Sequence, residues 1–85
     1  MKYKVKIHPK ANKFLNKLEK HLSDRIKFRL KLLEEKPFRF LEHYEGENFY
    51  KFRTGNYRAL IDLDQTRKII FVRVINHRKK IYKQT

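Results

Sequence analysis

Lys51, Arg53 and Arg58 fall at alternating positions on either side of a turn, in the stretch Tyr50-Lys51-Phe52-Arg53-Thr54-Gly55-Asn56-Tyr57-Arg58. In two strands joined by a tight hairpin this spacing sends the three cations to one face and Tyr50, Phe52 and Tyr57 to the other. Arg78 and Tyr82 follow the apolar run Ile69 to Ile75, which is expected to pair with the second of those strands. The five side chains Lys51, Arg53, Arg58, Arg78 and Tyr82 then form a cationic bowl with one aromatic wall. Such a bowl suits a phosphodiester, because fixed cations stabilise the charge that develops on its oxygens during displacement. For any single Lys or Arg the plainer reading is a solvated strand face whose aliphatic stem covers apolar surface. It is their convergence that points to chemistry.

The rest of the composition agrees with an anionic partner. The chain has 85 residues, with 23 Lys and Arg against 9 Asp and Glu, a net charge of +14. That exceeds what solubility requires. Residues 1–36 carry 12 basic and 4 acidic side chains, residues 37–64 carry 4 and 5, and residues 65–85 carry 7 and none, so two basic blocks flank a near-neutral middle. The absence of cysteine excludes a disulfide framework, a zinc knuckle and a thiol nucleophile. His8, His21 and His43 show no metal-ligand spacing, and no cofactor is expected. No run approaches the ~20 apolar residues of a membrane span, and the alternating start Met1-Lys2-Tyr3-Lys4-Val5-Lys6 lacks the apolar run of a signal peptide. The expectation is a soluble, cytoplasmic protein forming a single domain over residues 1–85.

The elements that position the bowl can be read in order. Tyr3-Lys4-Val5-Lys6-Ile7 alternates as a half-buried strand. His8-Pro9 opens a first helix from about Pro9 to Lys20, with Ala11, Phe14, Leu15, Leu18 and Leu22 at helical spacing. Ser23-Asp24 offers the N-cap of a second helix carrying Ile26, Leu30 and Leu33, widened by Phe28 and Leu32 and ending near Glu35 before Pro37. Residues 37–48 lack periodicity and read as a loop whose aromatics Phe38, Phe40 and Tyr44 plug the core edge. Asn48 to Arg53, Tyr57 to Leu63 and Lys68 to Asn76 read as three strands in two hairpins, the last a central strand partly covered on both faces. The predicted fold is α+β, in the order β-α-α-β-β-β, with a helical hairpin on one face of a mainly antiparallel sheet.

The ordered set Tyr50-Lys51-Phe52-Arg53, Gly55, Tyr57-Arg58, an apolar strand, then His77-Arg78 and Tyr82 resembles the RelE/ParE superfamily of toxins, and is nearest its RelE branch. The likeness spans essentially the whole chain. It implies a microbial-ribonuclease-like RelE fold and an mRNA interferase that cuts the codon in the ribosomal A site. Ribosome and mRNA would be its targets, and a RelB-like antitoxin its partner. By matching position, Arg58 and Arg78 correspond to phosphate-stabilising arginines, Tyr82 to a terminal tyrosine and Lys51 to a strand lysine. Arg53 follows by proximity, and Lys79, Lys80 and His77 join it as RNA-binding residues.

The chemistry implied is attack of an RNA 2′-hydroxyl on the adjacent phosphate, giving a 2′,3′-cyclic phosphate and a 5′-hydroxyl without a metal. Lys51 and Tyr82 are both candidate bases, with base stacking or orientation the preferred role for Tyr82. His77 is either an acid or base or a side chain packed at the sheet edge. Glu45 and Glu47 lie where a carboxylate base could come forward, although a solvated acidic loop explains them as well. Two other classes share the charge: a ParE-like inhibitor of DNA gyrase, and a basic protein that coats nucleic acid or ribosomes without chemistry.

Overall fold

The computed structural model describes residues 2–43 and 49–80. Alternation at the start produces β1 (Lys4–Ile7), with Lys4 and Lys6 exposed and Val5 and Ile7 turned toward the core beside the buried Tyr3. Pro9 is the first residue of α1 (Pro9–Lys17), where its fixed φ suits the helix and its missing N–H leaves no bond unmade. His8 caps this helix, its Nδ1 accepting from the Lys10 amide at 3.1 Å.

The second helix starts earlier than its cap chemistry suggested. α1 stops at Lys17 and α2 (Lys20–Leu32) begins ahead of Ser23-Asp24, with Glu19 as an N-cap that makes no side-chain bond. Leu18 explains the shift, since it leaves the helix in an extended conformation (φ −80°, ψ 159°) and packs against the core. Leu22 is thereby transferred to α2 and forms one stripe with Ile26, Leu30 and Leu33, while Ser23 is buried within the helix. Phe28 lies about 200° around the helix from Ile26 and is 66% exposed, and Leu32 is also exposed, so neither widens the stripe.

Residues 37–43 are more ordered than a loop. They form a one-turn helix, α3 (Pro37–Phe40), and a two-residue strand, β2 (Glu42–His43), with Pro37 and Leu41 buried. Phe38 is largely exposed, yet its ring meets Tyr3 and Tyr50 edge-on at 6.5 and 6.4 Å, so it does line the core edge. Tyr44, Glu45 and Glu47 lie outside the described residues.

The remaining strands are β3 (Tyr50–Thr54), β4 (Tyr57–Asp64) and β5 (Ile69–His77). The five strands form one sheet in the order β1-β5-β4-β3-β2, antiparallel except for the parallel β1–β5 pair. α1 and α2 cover one face, where Ala11, Leu15, Ile26, Leu30 and Leu33 meet Phe52, Ala59, Ile61, Ile70, Val72 and Ile75. On the other face Phe49 packs on Leu60 and Val74 as a second small cluster, which accounts for the nearly unbroken apolar run of β5. A register irregularity between Leu60 and Ile61 leaves Arg73 without an opposite residue, between the pairs Leu60↔Val74 and Ile61↔Val72. Among the described residues no helix is long and apolar enough to cross a membrane.

Candidate active site

The helix-free face of β3 and β4 gathers the cations. Thr54 pairs with Tyr57 and leaves Gly55-Asn56 as a two-residue turn, with Gly55 at φ +59°. A positive φ at the first central position is what a type II′ hairpin requires, and glycine adopts it without steric cost. This fixed register sets Arg53 directly opposite Arg58 and Lys51 opposite Leu60. Phe52 and Ala59 point the other way and are buried, which holds the cations on the solvent side.

Arg58 is positioned by its own hairpin. Its Nη1 donates to the Gly55 carbonyl at 2.9 Å and to the Tyr57 carbonyl at 2.8 Å. Both bonds use one nitrogen, so the fork formed by the others is oriented rather than consumed. Arg78 is drawn in by its backbone, whose N–H donates to the Asn56 carbonyl at 2.8 Å and ties the end of β5 to the hairpin tip. Lys51 keeps a half-buried stem, and its ammonium lies 3.8 Å from a carboxylate oxygen of Glu42, its neighbour across β2–β3.

These residues line an open cleft of about 430 Å³, formed by Glu42, Lys51, Arg53, Arg58, Arg78 and Lys79. Five cations around one carboxylate make a strongly electropositive hollow that suits a polyanion's backbone. The structure thus brings together Lys51, Arg53, Arg58, Arg78 and Lys79. Lys80 is exposed in the turn that follows β5, its amide bonded to the His77 carbonyl at 2.8 Å, and it does not line the cleft. Tyr82 lies outside the described residues.

His77 is turned away from this group. It pairs with Tyr57 across β4–β5, one position removed from the Arg58↔Asn76 pair, so its side chain is on the helix side of the sheet. There its ring meets Tyr57 edge-on at 5.9 Å, and Tyr57 in turn meets Phe14 at 6.1 Å. Its Nδ1 accepts from the Lys79 amide at 3.3 Å, closing the turn that carries Arg78 and Lys79. Packing at the sheet edge, the alternative to acid–base work, is what this geometry favours.

Glu42 is the residue that sequence patterning missed. Two residues of strand are too short for any periodicity to register, and the flanking Leu41, buried at the core edge, was the sole local cue. Pairing with Lys51 carries its carboxylate into the cleft, where it is the sole anionic group among the described lining residues.

The fold and sequence place the chain among known proteins. The family described as ParE toxin of type II toxin-antitoxin system, parDE, matches residues 5–82. The chain is similar to the RelE–RelB complex of Pyrococcus horikoshii OT3, with 29% identity and a TM-score of 0.79 over 92% of this chain and 97% of that one. It is also similar to the RelB–RelE antitoxin–toxin complex of Methanococcus jannaschii, with 25% identity and a TM-score of 0.70 over 92% and 95%. The RelBE2 toxin–antitoxin complex of Mycobacterium tuberculosis shares the fold at 22% identity, with a TM-score of 0.78 over 91% and 99%. No curated protein sequence gives a significant match. With nearly its whole length matched by one family and its fold shared with RelE proteins, the chain belongs to the ParE toxin family of type II toxin–antitoxin systems, within the RelE/ParE superfamily.

Proposed function

We propose that this toxin is a ribosome-dependent endoribonuclease that cleaves mRNA in the ribosomal A site. The observation that carries the reading is the cleft of Lys51, Arg53, Arg58, Arg78 and Lys79 on the helix-free face. A protein that merely coats nucleic acid needs diffuse charge, whereas here two arginines are forced into opposed positions and one of them is anchored by its own hairpin.

In this reading Arg58 and Arg78 hold the scissile phosphate and stabilise the charge that builds on it as the 2′-hydroxyl attacks. Lys51 neutralises a further phosphate oxygen, and Arg53 and Lys79 grip the flanking backbone. Glu42 is placed to accept the 2′-hydroxyl proton while Lys51 holds its carboxylate. Tyr82 orients or stacks a base. Breaking the bond to the 5′-oxygen leaves a 2′,3′-cyclic phosphate, and DNA, lacking the hydroxyl, is inert. A RelB-like antitoxin is the proposed partner, since the relatives from Pyrococcus horikoshii and Methanococcus jannaschii were captured with one. The toxin would act in the cytoplasm, where ribosomes are.

The family that matches is named for ParE, which favours gyrase inhibition as the second reading. Primer extension on programmed ribosomes separates the two. Discrete cuts within A-site codons, missing with Arg58→Ala and with ribosome-free RNA, are expected. Intact mRNA beside blocked supercoiling by gyrase would establish the ParE-type activity instead.

A further inference from the structure

The two edges at the β1 end of the sheet are treated differently. The outer edge of β1 is closed by the end of the helical hairpin: the Glu34 carbonyl accepts from the Tyr3 amide at 2.8 Å, and its carboxylate accepts from the Val5 amide at 3.0 Å. This is a blunted edge of the kind that prevents unwanted strand pairing. β1 covers β5 only from Ile69 to Val72, however. Beyond that point β5 continues to His77 with β4 on one side and no strand on the other among the described residues.

A groove of about 640 Å³ runs along this open stretch, between Arg73–Asn76 of β5 and the α1 side chains Lys10, Lys13, Phe14 and Lys17. Four consecutive β5 residues line it although their side chains alternate between faces, so it follows the strand edge rather than one face of the sheet. Its floor is apolar, formed by Phe14, Ile75 and the buried Ala11. Its rim is cationic: Lys10, Lys13 and Lys17 recur at i, i+3 and i+7, are exposed, and make no ion pair among the described residues. Arg73 closes the far side, 3.4 Å from Asp62, and no carboxylate lines the groove.

We infer that this groove receives an acidic, extended segment of a partner protein, which adds to the sheet as a strand along residues 73–77 with alternating apolar and acidic side chains. An open strand edge supplies main-chain donors and acceptors in register, which an extended peptide matches and a nucleic acid does not. The lysine rim supplies the preference for acidic sequence. The antitoxin is the natural source of such a segment, and in that respect alone the inference rests on the toxin–antitoxin reading. The groove is separate from the cationic cleft, with which it shares no lining residue.

The test is titration of the full, isotopically labelled chain with the peptide acetyl-Asp-Val-Glu-Ile-Glu-Val-Asp-amide, read by amide shifts and hydrogen exchange. Binding is expected to slow exchange across residues 73–77. Methylating alternate peptide nitrogens should weaken it about tenfold, since several main-chain bonds are lost. Lys10→Glu with Lys17→Glu should also weaken it about tenfold, with amide shifts elsewhere unchanged to show that the fold is intact. The inference is overturned by failure of the peptide to bind at millimolar concentration, or by equal binding of the methylated peptide. It is equally overturned if a single-stranded oligoribonucleotide shifts the Lys10, Lys13 and Lys17 amides while the peptide does not. RNA cleavage on ribosomes is scored separately, so loss of that activity and loss of this groove remain distinguishable.

Discussion

Arg53 and Arg58 stand directly opposite each other on adjacent strands, on the face that no helix covers. Like charges so placed destabilise a sheet by roughly 0.2–1 kcal/mol relative to a neutral pair. Arg58 is nevertheless held there by two carbonyls of its hairpin. Removing it should therefore separate folding from function. For Arg58→Ala we expect stability within about 0.5 kcal/mol of the parent in urea unfolding, together with a loss of ~10²–10³ in RNA cleavage rate. Arg58→Lys should recover only a small part of that rate, because an ammonium lacks the planar fork. A variant that unfolds would make Arg58 a structural residue.

The Glu42 carboxylate, 3.8 Å from Lys51, is open to two opposite outcomes. As a proton acceptor it should be indispensable, and Glu42→Gln should cost ~10²–10⁴ in rate with RNA affinity nearly unchanged. As a charge balance it should be inhibitory, and the same variant should bind RNA more tightly and cleave it at least as fast. Single-turnover cleavage with a parallel filter-binding titration decides between them. We expect the first outcome.

The hairpin that carries the arginines was legible because its signals are local: Gly55 marks a turn, and alternation on both sides assigns the faces. The β1–β5 parallel pairing and the Glu42–Lys51 contact are long-range facts with no local trace. His77 shows the same limit. Its type and its place beside Arg78 invite a chemical role, yet one step of strand alternation sends it behind the sheet against Tyr57. In α2 the apolar residues were identified correctly, but Phe28 and Leu32 were put on the wrong side because the helix start was set by Ser23-Asp24 instead of by the break at Leu18.

That misplacement yields a contrast in stability. Ile61 is fully buried at the centre of the sheet, and Ile61→Ala should cost about 2–5 kcal/mol, a large share of what a domain this small possesses. Phe28 is two-thirds exposed, so Phe28→Ser should change stability by no more than about 0.5 kcal/mol. Thermal unfolding of both variants checks the pair, and a large loss in Phe28→Ser would mean that α2 faces the other way.

Gly55 links the stability of the hairpin to the placement of the cations. An added Cβ would meet nothing within 4 Å, so a substitution is opposed only by backbone conformation at φ +59°. Gly55→Ala should thus cost about 1–3 kcal/mol. D-alanine, which prefers this conformation, should be neutral or slightly stabilising when introduced by chemical synthesis. Activity should follow the same order, because the Gly55 carbonyl is one of the two groups that aim Arg58.

Affinity for RNA should carry the signature of the cleft. If all five of its cations contact phosphate, log K should fall against log salt with a slope of about −3.5, from ~0.7 per contact on a single strand. Arg53→Ala should lower the slope by about 0.7 and weaken binding to every sequence alike, since Arg53 faces backbone charge and no base. Lys80→Ala should leave the slope unchanged, because Lys80 lies outside the cleft lining. Fluorescence anisotropy of a labelled oligoribonucleotide across a salt series measures all three. An equal effect from Lys80→Ala would replace a defined phosphate-binding cleft with diffuse attraction by the whole basic surface.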